Sequence, residues 1–154
     1  MMTGEINADR EAELRLIVHN AAGRGTEIKA VIDTGFTDYL TLPPDLIASL
    51  NLPFWELTEF ILADGNVVAF ETYTATVIWD GAEKPVLVLA SEGGPLIGMS
   101  LLYGYRVVMD VVDGGSVTIE AKFALPPVFR SRLPRQKQLE INWNDCSKTC
   151  VNRV

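Results

Sequence analysis

Residues 30–43 read AVIDTGFTDYLTLP, and within them Asp33 follows an apolar run and precedes Thr34 and Gly35. A carboxylate in that place has two readings. Either it opens a turn, or it is held on a rigid strand end to move protons. A carboxylate can activate a water molecule as a base, and a carboxylic acid can protonate a carbonyl oxygen. Two carboxyl groups sharing one proton do both, since like charges about 3 Å apart cannot both ionise and their proton affinities are driven apart. The tripeptide is too short to decide between the readings, so its surroundings must.

The elements around it are legible from their patterns. Leu14, Leu16 and Val18 alternate with Glu13 and Arg15, the period of a half-buried strand. Residues 21–25, AAGRG, form a turn, and TEIKAVIDTG continues as a second strand closing on Val31 and Ile32. A hairpin thus delivers Asp33 at its end. A short strand over 39–42 runs into Pro43, Pro44 and Asp45. Proline suits the first turn of a helix, and Leu46, Ile47 and Leu50 share one helical face, so about two turns of helix are expected before Pro53 ends them. From Trp55 onward the chain reads as strands punctuated by Asp64-Gly65 and Asp80-Gly81, and Asp113-Gly114 marks a closing hairpin. Tight hairpin turns need positive φ, which Asp-Gly supplies. Between the last two pairs lie Leu96, Ile97 and Gly98, followed by a helix-compatible run over 99–103. The expectation is an all-β domain of about eight strands and two short helices, without internal repeats.

Asp33-Thr34-Gly35 after an apolar strand, a short strand next, a central hairpin tipped by Asp64-Gly65, then Leu96-Ile97-Gly98 before a short helix: this order resembles the retropepsin-like, single-domain aspartic proteases (clan AA). The small bacterial members are the nearest, and the resemblance covers residues from about 4 to 121. It implies a closed barrel or sheet domain with a flap hairpin, aspartic endopeptidase activity on peptides or proteins, and no metal or cofactor. The two-lobed relatives carry two copies of the motif and this chain has one, so the second carboxylate would come from Asp33 of another copy in a C2 homodimer. The resemblance gives Asp33 the acid/base role and Thr34 a hydrogen bond across the dimer. Gly35 would donate its N–H to a carboxylate oxygen. Leu96, Ile97 and Gly98 would pass behind the loop and wedge it, with glycine at 98 because two backbones cross. Ala63, Asp64 and Gly65 would form the flap over bound substrate, with Ile61, Leu62, Val67 and Val68 as pocket or flap-packing residues. Phe36 departs from the Ala, Ser or Thr usual after the motif and brings no hydroxyl to the carboxylate.

Composition bounds the alternatives. At 154 residues, 48% hydrophobic and 21% charged, the chain has the make-up of a globular protein with one main domain, taken as residues 1–123. No apolar run approaches the roughly 20 residues a bilayer requires, and the polar, acidic start lacks the layout of a signal peptide, so a cytoplasmic location is expected. Residues 1–123 hold 7 Lys/Arg against 18 Asp/Glu, which argues against nucleic-acid binding. Residues 124–154 hold 6 against 2, a basic, proline-containing extension that could touch an acidic partner, fold back on the acidic body or stay solvated. Cys146 and Cys150 lie there, and with the single His19 they cannot complete a four-ligand zinc site in one chain. Asp38 lies close to the motif and could bind substrate, but reads more simply as a solvated loop carboxylate, and His19 reads as an exposed strand residue. Two other functions remain open: a peptide-binding or dimerisation module that does not cut, and an enzyme that first processes its own tail.

Overall fold

The computed structural model describes residues 1–61 and 65–122. Among them the chain forms strands β1 (Met2–Ile6), β2 (Ala12–His19), β3 (Gly25–Ile32) and β4 (Leu40–Leu42), then helix α1 (Pro44–Leu50). Strands β5 (Phe54–Ile61), β6 (Val67–Trp79), β7 (Ala82–Ala90) and β8 (Leu96–Ile97) follow, then helix α2 (Met99–Leu102) and strands β9 (Tyr105–Met109) and β10 (Ser116–Ala121). The domain is all-β, as expected. No helix among the described residues is long and apolar enough to cross a membrane.

The strands make one sheet in the order β5-β6-β7-β4-β8-β3-β2-β1-β10-β9. β6 has 13 residues, enough to pair more than once on the same side. Its first half pairs with β5, and near its end Thr76, Val77 and Ile78 lie opposite His19, Val18 and Ile17 of β2. That second pairing closes β2, β3, β8, β4, β7 and β6 into a barrel. Residues 67–71 of β6 pair with β5 alone, so the β5–β6 hairpin extends beyond the barrel as an arm.

Local sequence explains most of these elements. In β2, Leu14, Leu16 and Val18 are buried while their neighbours are not, the alternation of a strand with one face on a core. They meet Leu40, Leu42, Val77, Trp79, Val86, Val88 and Ile97 in a single cluster, to which α2 adds Leu101 and Leu102. Asp80 and Gly81 have φ of 52° and 79° and join Trp79 to its partner Ala82, a two-residue turn with both central residues left-handed. Gly114, at φ 70°, lies in the loop between β9 and β10. α1 follows an extended Pro43 and stops at Asn51, whose φ of 50° is a left-handed cap. Its buried face is Ile47 and Leu50.

The two strands beyond the expected eight are β1 and β8. Only Ile6 of β1 is buried, and β8 is two residues long, so neither carries enough alternation to register as a strand alone. His19 also differs from expectation. It is half-buried, because β2 is flanked there by both β3 and β6 and its ring lies over Gly25, where a Cβ would stand 2.7 Å from His19 Cδ2.

Leu40 is fully buried in β4, a three-residue strand of the barrel. Leu40→Ala should lower unfolding free energy by about 2–5 kcal/mol, the range for a leucine whose cavity cannot collapse. Urea denaturation with an unchanged m-value checks it.

Candidate active site

Asp33 begins where β3 ends. The last residues of β3 pair in parallel with β8, Val31 opposite Leu96 and Ile32 opposite Ile97. The Asp33 N–H donates to the Ile97 carbonyl at 2.9 Å, continuing that ladder by one residue. On its other flank β8 pairs antiparallel with β4, Leu40 opposite Ile97 and Thr41 opposite Leu96. The loop of residues 33–39 is therefore held at both ends by the same two residues.

The chain after β8 holds the middle of the loop. Gly98 N–H donates to Tyr39 O at 3.0 Å and Met99 N–H to Phe36 O at 2.8 Å. Ser100 N–H reaches Thr37 O at 3.1 Å and Asp38 O at 3.2 Å, and the Ser100 hydroxyl donates to Thr37 O at 2.6 Å. Four consecutive loop carbonyls thus accept from three consecutive residues. The approach leaves no room at Gly98, where a Cβ would stand 2.1 Å from the Asp38 carbonyl oxygen and 2.5 Å from Phe36 Cδ1. The Phe36 side chain occupies the space that a residue larger than glycine would need.

Within this brace the carboxylate is oriented locally. Gly35 N–H donates to Asp33 Oδ1 at 2.8 Å, and Phe36 N–H to Asp33 O at 3.3 Å, closing a tight turn. A Cβ on Gly35 would lie 3.2 Å from Oδ1, so glycine permits the approach. Asp33 is half-buried, while Thr34 and Gly35 are exposed. Asp33 is therefore half-buried at the edge of an exposed turn, with its backbone fixed.

Two supporting residues, Thr41 and Ser100, were not singled out from the sequence, and a third, Asp38, was read differently. Thr41 is buried in β4, where its hydroxyl donates to Gly94 O at 3.1 Å and accepts from Leu96 N–H at 2.9 Å, fixing the approach to β8. Its one visible signal is a polar residue between Leu40 and Leu42. Ser100 gives no signal in sequence, since its role depends on the loop it meets. Asp38, read as solvated, is half-buried, and burial raises its carboxyl above the ordinary aspartate value. Beside the loop lies an open depression of about 310 Å³ lined by Thr37, Tyr39, Met99, Ser100 and Tyr103, with Asp33 outside it.

The structure brings Asp33, Thr34, Gly35, Leu96, Ile97 and Gly98 together in one unit. The hairpin is a separate arm. Gly65, at φ 85°, belongs to its turn, while Leu62, Ala63 and Asp64 lie outside the described residues, as do Cys146, Cys150 and the whole 124–154 extension. Val67 and Val68 fall on opposite faces of the arm, Val67 exposed and Val68 half-buried.

This chain is similar to a retropepsin-like aspartic protease. That solved structure, from Rickettsia conorii, shares 20% sequence identity at a TM-score of 0.49, covering 78% of this chain and 91% of that one. No family model and no curated protein matches the chain.

Two outcomes are expected. Gly98→Ala should destabilise by about 1–3 kcal/mol or more, because backbone rather than a flexible side chain must move; chemical denaturation measures it. Asp38 binds its proton more tightly folded than unfolded, so its carboxylate subtracts stability at neutral pH. That loss is relieved as pH falls through the folded value and is gone below the unfolded one. Asp38→Asn should therefore raise Tm at pH 7, with the difference shrinking toward pH 3.5.

Proposed function

We propose that this protein is an aspartic endopeptidase whose catalytic pair is Asp33 from each of two copies of the chain. The observation that carries the reading is the fixed carboxylate of Asp33, held by Gly35 N–H at 2.8 Å and by Ile97 O through its own backbone. Thr34 and Gly35 beside it are exposed, so a second copy can approach along a two-fold axis without unfolding the loop. The order of motifs in the sequence supports the same reading.

In the dimer the two carboxyl groups share one proton. The ionised one removes a proton from a water molecule as its oxygen attacks the peptide carbonyl carbon, and the protonated one gives its proton to the carbonyl oxygen. The tetrahedral diol collapses when the amide nitrogen is protonated by one carboxyl group and a hydroxyl proton returns to the other, breaking the C–N bond. The pair's two apparent pKa values belong to the pair and set both limbs of the pH profile. The β5–β6 arm serves as the flap, and substrate lies extended beneath it.

Purified protein and an Asp33→Asn variant, incubated with a diverse peptide mixture between about pH 3.5 and 7, give the test by mass spectrometry. Wild type should cleave with a bell-shaped profile and with activity per mole that falls on dilution; Asp33→Asn should lose about 10²–10⁴-fold or more. Absence of cleavage by a sample shown to be dimeric would favour a peptide-binding module instead.

A further inference from the structure

We propose that the outer face of the β5–β6 arm is a docking surface for this chain's own basic stretch, residues 130–137. The case begins with charge. Residues 30–83 contain nine Asp or Glu and no Lys or Arg. Three of those acids, Glu56, Glu59 and Glu71, are exposed on the arm. The ion pairs formed among the described residues use Asp80, Glu27, Glu83 and Glu13 instead. Glu71 accepts from the Tyr73 hydroxyl at 2.6 Å, which leaves its charge uncompensated.

The surface also has a shape. Strand register sets Leu57 opposite Glu71 and Glu59 opposite Ala69, with Val67 further along the same face. Leu57 and Val67 are 62% and 58% exposed. Apolar side chains and carboxylates therefore share one face, and Phe54, 57% exposed, extends the apolar part at the base. β5 is the end strand of the sheet and pairs only with β6, so one of its edges faces no strand among the described residues. An extended segment that mixes cations with apolar residues complements both features.

This chain carries such a segment. VFRSRLPRQK, residues 128–137, has four cations, no acid, and Val128, Phe129 and Leu133 among them. In an extended strand Arg130 and Arg132 fall on one face and Phe129 and Leu133 on the other. Pro134 is compatible with an added edge strand, since its missing N–H can face solvent. The chain can reach. From Lys122, whose N–H bonds to Gly104 O, it spans about 26 Å to Arg130 and about 50 Å to Lys137 when extended, against a diameter of about 36 Å for a compact domain of this size. The docking needs no catalytic step, so it stands or falls apart from the proposed activity.

The test uses the full chain, with a zero-length carbodiimide coupling lysine amines to carboxylates and mass spectrometry mapping the links. Lys137 should couple to Glu59 or Glu71 at low salt, with yield falling at least about threefold in roughly 0.5 M NaCl, where screening is strong over a few ångströms. Links from Lys137 chiefly to acids on other strands, such as Glu5 or Glu120, would overturn the proposal, as would no links or a yield indifferent to salt. A second variant reads the same contact from the other side. Replacing Arg130, Arg132, Arg135 and Lys137 by Ser should speed hydrogen exchange of β5 amides by at least about threefold. Unchanged exchange would reject the docking.

Discussion

The site depends on one crossing of backbone over backbone, Gly98 over Asp38, at a separation no side chain can enter. From it follow the hydrogen bonds of residues 98–100 to the carbonyls of residues 36–39, and through them the position of the loop that carries Asp33. β8, only two residues long, would be a poor strand alone. It persists because β3 and β4 pair with it from both sides, and because Thr41 fixes its approach from within the core. The carboxylate is thus placed by covalent continuity with β3 and by a ladder that has almost no freedom to slip. Backbone bonds of this kind hold position better than long side chains do.

The barrel and the arm divide two mechanical tasks. Closure through the second pairing of β6 with β2 removes sheet edges around the core and makes the floor of the site rigid. The same strand, continued past the barrel, leaves residues 67–71 with only β5 for a partner. Barrel and arm share one uninterrupted strand, whose length decides how much of it is barrel and how much is arm.

Much of this was legible beforehand because it is local. Leu14, Leu16 and Val18 announce a strand by alternation, Asp80-Gly81 announces a tight turn by its tolerance of positive φ, and Pro44 with Ile47 and Leu50 announces a short helix. The proximity of Asp33-Thr34-Gly35 to an apolar strand end was equally plain. Asp38 was misread as solvated and His19 as exposed, because burial there is set by elements arriving from elsewhere in the chain. β1 and β8 escaped notice for the same reason: each is a strand because of its neighbours.

The sequence by itself determined the chemical types at the site, the all-β class and the placement of turns, since side-chain alternation and backbone preference act over a few residues. Only tertiary structure decided that Ser100 would brace Thr37 from 63 positions away and that β6 would pair twice. Those outcomes require distant segments to meet, and a meeting of that kind depends on the packing of the whole core rather than on any one stretch of residues.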